Sequence, residues 1–238
     1  MVAAPEPGGR FLLLGSGEFE PWTGPIERSA LEGATGDGGV AVLATASAPE
    51  GEAVFGRWNE MALAHYESIA VRATVVPVRN RQDAGKAGPA AVVGAASMVF
   101  FSGGDPRHLH QTLAGSELLE AIRGLLERGG VYAGCSAGAM IVGEPLPELG
   151  GLAGRAFGQG LGLVPEHVFG VHWDAALMRP WRNLLAGRVP SEKHLLGIAE
   201  RTAVIGGGGG WHVLGRGSVE HRFRGRREFV QPGEWLCT

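Results

Sequence analysis

The sequence predicts an α/β protein of three layers: a mostly parallel sheet with helices on both faces, and short antiparallel strands toward the C-terminus. Three observations lead there. Short runs that are apolar at every position, rather than at alternate positions, recur through the first 142 residues; strands buried on both faces read this way. Segments of helical periodicity separate these runs, as parallel crossovers require. After about residue 195 the pattern changes to short strands separated by glycine, which suits antiparallel pairs at an edge.

Residues 1–9 carry two prolines and two glycines and are expected to form a loose tail, leaving 10–238 as a single domain. Arg10–Leu14 and Val40–Ala44 are buried-strand candidates. Ala53–Ile69 spaces Phe55, Trp58, Ala62 and Tyr66 for one helical face. Val71–Val78 is β-branched, Ala87–Gly94 suits a short helix, and Ser97–Phe101 is a further strand. Asp105 as N-cap with Pro106 behind it starts the next helix. Ser116 caps another, striped by Leu118, Leu119, Ile122, Leu125 and Leu126. Val131–Ala133 is a strand leading into helix Ala137–Val142, which Pro145 and Pro147 close.

Bulk properties exclude several function classes. The 238 residues are 45% hydrophobic and 19% charged, enough for a sizeable core. A net charge of −3 argues against an electrostatic nucleic-acid binder; Arg222-Phe223-Arg224-Gly225-Arg226-Arg227 is a local basic cluster, expected on a solvated strand or turn. Two cysteines, Cys135 and Cys237, give neither a disulfide framework nor metal-ligand spacing, and no cofactor is called for. Phe11–Leu14 is far too short to span a bilayer, and nothing resembles a signal peptide. A reduced, cytoplasmic protein with no membrane or nucleic-acid partner is the economical expectation. Glycine is the outlier at 41 residues. Gly15/Gly17, Gly103/Gly104 and Gly134/Gly138 fall where strands should end, as loops gathered around a site would; Gly206–Gly210 is expected to be a hairpin loop.

Gly134-Cys135-Ser136-Ala137-Gly138 fits G-x-S-x-G between a strand and a helix, the context in which a sharp turn lifts a nucleophile above the sheet. Ser136 is the expected nucleophile. The Ala137 N–H and the helix N-terminus would face a tetrahedral oxyanion, and Gly103 and Gly104 are candidates for a second donor. Cys135 competes, since glutamine amidotransferases place a cysteine at such an elbow. In that register, however, glycines are needed at 133 and 137, where both residues are alanine. A serine needs a base, usually histidine, held by a carboxylate. Eight histidines are available; His65, His108 and His110 on helices are expected to be half-exposed, His194, His212 and His221 lie in the late turn-rich region, His167 and His172 lie near the end of an apolar run, and residue types alone do not choose between them.

Gly134–Ala139, with Phe100-Phe101-Ser102-Gly103-Gly104-Asp105, Gly160-Leu161-Gly162-Leu163-Val164-Pro165 and Gly197-Ile198-Ala199-Glu200-Arg201-Thr202-Ala203, resembles peptidase family S51 in order and rough spacing. That family includes dipeptidase E and cyanophycinase. The resemblance implies a class I glutamine amidotransferase-like, flavodoxin-like sheet. It also implies a serine hydrolase acting through Ser136, His172 in Val168-Phe169-Gly170-Val171-His172-Trp173, and an acid between them, Glu148 or else Glu144. It further implies Asp105, Arg179, Arg182 and Glu200 as substrate contacts, Glu200 receiving a cationic group, and a possible homodimer. The substrate would be a small peptide or isopeptide amide. Pro106 and Gly170-Val171 replace polar residues of the family pattern, so the substrate itself does not carry over. A catalytically silent ligand-binding relative and an amidotransferase-like enzyme using Cys135 are the competing expectations.

Overall fold

A computed structural model describes residues 10–147 and 157–238. In chain order the strands and helices are β1 Arg10–Leu14, α1 Gly24–Leu31, β2 Val40–Leu43, α2 Glu52–Ser68, β3 Ala73–Val75, α3 Arg81–Ala84, α4 Ala87–Ala95, β4 Met98–Phe101, α5 Pro106–Leu113, α6 Glu117–Glu127, β5 Val131–Cys135 and α7 Ala137–Met140. There follow β6 Leu146–Pro147, β7 Phe157–Gly158, β8 His167–Gly170, α8 Arg179–Ala186, β9 His194–Ile198, β10 Thr202–Gly207, β11 Gly210–Gly215, β12 Val219–Phe223, β13 Arg226–Val230 and β14 Trp235–Leu236.

The main sheet has the order β14-β11-β10-β1-β5-β4-β2-β3. The segment β1-β5-β4-β2-β3 is parallel, and β10, β11 and β14 extend it antiparallel. Strand residues divide between its two faces with the period of two that the pleat dictates. Leu12, Leu14, Met98 and Phe100 meet Ala30 of α1 and Ala62 and Tyr66 of α2. Leu13, Val99 and Phe101 meet Val93 of α4, Leu109 of α5 and the apolar stripe of α6. Burial on both faces explains why these strands are apolar throughout. Burying the stripe leucines of α6 stabilises the fold by roughly 1.5–3 kcal/mol each.

The helix starts are as the sequence indicates. The Asp105 carboxylate accepts from the N–H groups of Arg107 and His108, and Ser116 Oγ accepts from Leu119 N–H. The β10–β11 hairpin closes at Gly207↔Gly210, placing the glycine run in its loop. Three expectations are corrected. Only Ala73–Val75 of the 71–78 run is strand, because beyond the Val76 N–H bond to Val42 O, Pro77 has no N–H to give and Val78 N–H turns back to Val76 O at 2.8 Å. His65 is buried rather than half-exposed, its ring 2.6 Å from the Glu27 carboxylate. The late strands are not all edge strands of one sheet: β13-β12-β9-β8 form a separate four-stranded sheet. Its seam with the main sheet is aromatic. Trp211 Nε1–H donates to His167 Nε2 at 3.1 Å, and the Phe169 ring meets Trp211 edge-on at 5.4 Å.

The tail expected at residues 1–9 lies outside the described residues. No helix among the described residues is long and apolar enough to cross a membrane.

Candidate active site

The parallel strands β1, β4 and β5 end side by side, and their carboxyl ends carry the glycine turns seen in the sequence. Ligands of open α/β sheets bind outside such ends. At the end of β5 the chain turns sharply into α7, with Ser136 at φ 50° and ψ −111°, a conformation an L-residue rarely adopts. Packing holds it there. Ser136 N–H donates to Leu14 O at 3.1 Å, and Tyr132 Oη–H donates to Gly138 O at 2.7 Å. Both motif glycines are required by close approach: a Cβ on Gly134 would lie 2.5 Å from Gly138 C, and one on Gly138 would lie 2.4 Å from Phe101 O.

The second sheet delivers the histidine. Beyond β8 the chain reaches His172, also at φ 50°, whose N–H donates to Gly15 O at 3.3 Å. His172 Nε2 lies 3.1 Å from Ser136 Oγ, and Nδ1 lies 3.3 Å from Glu200 Oε1. Glu200 is fixed through its backbone, its N–H donating to the Asp174 carboxylate at 2.7 Å. Trp173 N–H donates to Ile198 O at 3.1 Å. The loop after β8 is thus stitched to the loop after β9. Among the described non-glycine residues, positive φ occurs at Phe19, Ala70, Ser136, His172, Arg201 and Arg224. Three of these belong to the site or adjoin Glu200. Backbone strain of this kind clusters at functional sites, and a hydroxyl, an imidazole and a carboxylate in this order can activate an oxygen nucleophile.

Of the histidines left open by the sequence, His172 stands at Ser136, whereas His167 is buried in the seam. Burial, reinforced by the neighbouring His194, His221 and Lys193, lowers the His167 pKa to about 3. The carboxylate behind His172 is Glu200, a residue expected to meet substrate. Glu144 is corrected: its carboxylate accepts from Gly160 N–H at 2.9 Å and pins that loop instead. Glu148 lies outside the described residues.

Gly103 is also corrected as an oxyanion donor, because its N–H is spent on the Glu18 carboxylate at 3.0 Å. Gly104 and Ala137 donate no backbone hydrogen bond among the described residues. Glu18 was not singled out from the sequence. Its second oxygen accepts from Cys135 Sγ at 2.8 Å, so it braces the turns after β4 and β5 together. The signal was the Gly15-x-Gly17-Glu18 turn at the end of β1, read for its glycines and not for the carboxylate after them. Cys135 is fully buried, and desolvation with the nearby Glu18 charge pushes its thiol well above the ordinary value. Such a thiol is a poor nucleophile.

A cavity of about 390 Å³ opens over Ser136 and His172. Asp105, Arg107, Met140, Leu146 and Met178 line it. Asp105 lines the wall, with its carboxylate engaged in the α5 cap. Arg179 is exposed at the first turn of α8 and does not line this cavity. Arg182 turns toward the protein and donates to Trp173 O at 3.4 Å. Gly170 is explained by its neighbour: the Trp173 indole lies over Gly170 and Gly197, where added Cβ atoms would meet ring atoms at 2.4 and 2.3 Å. Among the described residues no cluster of histidine, cysteine and carboxylate could hold a metal ion.

The chain is 32% identical over 162 residues to cyanophycinases of Trichormus variabilis and Nostoc sp., covering 64% of this chain and 54% of theirs. It therefore spans about half the length of these curated relatives. The crystal structure of a peptidase from an acI-B1 actinobacterium superposes with a TM-score of 0.89 at 26% identity, over 97% of both chains. A putative peptidase E from Listeria monocytogenes shares the fold, with a TM-score of 0.63 at 16% identity over 87% of this chain and 98% of that one. The sequence pattern of Peptidase family S51 matches residues 76–214, which contain both Ser136 and His172, and the chain belongs to that family.

Proposed function

We propose that the protein is a serine-type hydrolase that cleaves a peptide or isopeptide amide in a small substrate. The observation that carries this reading is the 3.1 Å approach of His172 Nε2 to Ser136 Oγ at a strained strand-to-helix turn. Ser136 Oγ attacks the carbonyl carbon while His172 Nε2 takes the hydroxyl proton. The tetrahedral oxyanion is held by the Ala137 and Gly104 N–H groups, each worth roughly 3 kcal/mol in the transition state. His172 then passes the proton to the leaving amine, and an acyl-Ser136 ester forms. Water, deprotonated by the same ring, releases the acid and restores the hydroxyl. Glu200 faces Nδ1 at 3.3 Å and stabilises the imidazolium that forms at each step. A volume of about 390 Å³ suits a small substrate rather than a folded protein.

The catalytically silent reading loses ground to this geometry, since hydroxyl, ring and carboxylate stand in line. The Cys135 reading loses ground because that thiol is buried and bound to Glu18. The test is a panel of α- and β-aspartyl dipeptides and related small amides, assayed with wild type and Ser136→Ala. Wild type is expected to turn over at least one amide and to react with a fluorophosphonate, and Ser136→Ala to lose both. Turnover and labelling that survive the substitution would refute the assignment.

A further inference from the structure

The basic cluster 222–227 plays no part in the Ser136 site. It forms one wall of a second concavity, about 340 Å³, on the other side of α8. Leu185 borders the first cavity and Ala186 the second. The β12–β13 hairpin turns at Arg224-Gly225, both at positive φ (48° and 76°), the conformation of a tight two-residue hairpin. Arg224 N–H donates to Ser191 O at 3.2 Å, tying this turn to the opposite wall. Lys193, Arg222, Arg224, Arg226 and Arg227 thereby converge on one hollow.

Their arrangement is electrostatically unbalanced. Arg222 and Arg227 are direct cross-strand partners, and like charges so placed are destabilising. Buried Glu220 relieves this in part, its Oε1 accepting from both Nε atoms at 2.5 and 2.9 Å. Burial would raise the Glu220 pKa, but hydrogen bonds from Trp173, Arg222 and Arg227 bring it below the ordinary value. Glu166 stands 3.7 Å from Lys193. Glu192 is bonded to Ser191 at 3.4 Å, and Glu228 is bonded to His221 at 2.8 Å. Arg222 and Arg227 donate to Glu220 through Nε, and neither gives an Nη hydrogen to protein among the described residues. A hollow with low-dielectric walls and excess charge of one sign concentrates counter-ions.

We propose that this hollow is a binding site for a small phosphate-bearing anion. Guanidinium edges match phosphate oxygens in geometry and charge. The volume is that of a small-molecule site. Concavity, with a net charge of −3 for the whole chain, favours a compact anion over a nucleic-acid strand.

The experiment is calorimetric titration of the full chain, without amide substrate, at fixed ionic strength set by chloride. The probes are inorganic phosphate, pyrophosphate and a sugar monophosphate. At least one is expected to bind saturably at one site. Arg224→Ala/Arg226→Ala, which leaves the Glu220 contacts intact, is expected to weaken that binding by about tenfold or more, with an unchanged melting temperature in chloride. Tighter binding of the sugar phosphate than of free phosphate assigns an ester as the ligand; equal binding assigns the free ion. The proposal is overturned by absence of saturable binding for all three probes. Undiminished binding in the double variant overturns it too, as does tighter binding of a single-stranded RNA oligomer. None of these readouts depends on the Ser136 chemistry.

Discussion

Replacing Glu200 by glutamine removes a charge while leaving an oxygen that can still accept from His172 Nδ1–H. The expected loss follows from the 3.3 Å separation of Nδ1 and Oε1. At that distance a carboxylate and an imidazolium attract by about 1 kcal/mol in bulk water and about 5 kcal/mol at an effective dielectric constant near 20. The His172 and Glu200 side chains are 37% and 50% exposed, so solvent screening places the term in the lower part of that range. About 1–3 kcal/mol corresponds to a roughly 5- to 150-fold fall in turnover. The charge matters only once the ring is protonated in the transition state, so the loss should fall on kcat and leave KM nearly unchanged. Kinetics on the best amide of the panel, at low and high salt, measure this directly. Wild-type kcat should decline with salt as the pair is screened, and the Glu200→Gln rate should stay flat. Retention of wild-type kcat by Glu200→Gln, with collapse in Glu148→Gln, would refute Glu200 as the partner of His172.

Gly197→Ala would put a Cβ 2.3 Å from the Trp173 indole, displacing the ring that bonds Glu220 at 2.9 Å and adjoins His172. Activity should fall about tenfold or more together with the melting temperature, whereas Gly208→Ala, with open space around it, should change neither. His167 gives an acid-side stability limb. Its folded pKa of about 3 lies below the ordinary imidazole value of 6.5, so below pH 6.5 the unfolded chain takes up a proton that the folded chain refuses. This contribution is whole above about pH 6.5 and is lost progressively as pH falls toward about 3. Thermal melts between these limits should show a shallower pH dependence in His167→Gln than in wild type; equal slopes would count against the buried neutral ring.

The parallel half of the fold was legible because burial on both faces leaves an unambiguous mark. Met98–Phe101 is apolar throughout since Met98 and Phe100 face one layer and Val99 and Phe101 the other. Asp105-Pro106 and Ser116 were legible as caps because local hydrogen bonding sets them. The second sheet was not legible. Short glycine-spaced strands do not say which neighbours they pair with, and β9 joins β8 and β12 rather than the β10 that follows it. Ser136 was legible from its turn, and His172 from the resemblance. Its carboxylate partner was sought upstream in the chain, but Glu200 reaches the ring because the turns after β8 and β9 are fastened together by Asp174. Glu18 escaped because it braces two other strands' turns from the end of β1, a relation spread over 117 residues of chain to Cys135.

The hydroxyl and the imidazole are mounted on different slabs: Ser136 follows the end of β5 in the main sheet, and His172 lies two residues beyond β8 of the second. The 3.1 Å between them is therefore also a gauge of how the slabs are seated. Its setting depends on the seam, where Trp211 meets His167 and Phe169, and on backbone ties such as His172 N–H to Gly15 O and Glu144 N–H to His167 O. A slip of about 1 Å along that seam would cost on the order of a hundredfold in rate while leaving each slab folded. Substitutions far from Ser136 that shim or loosen the seam should thus detune the reaction without melting the protein.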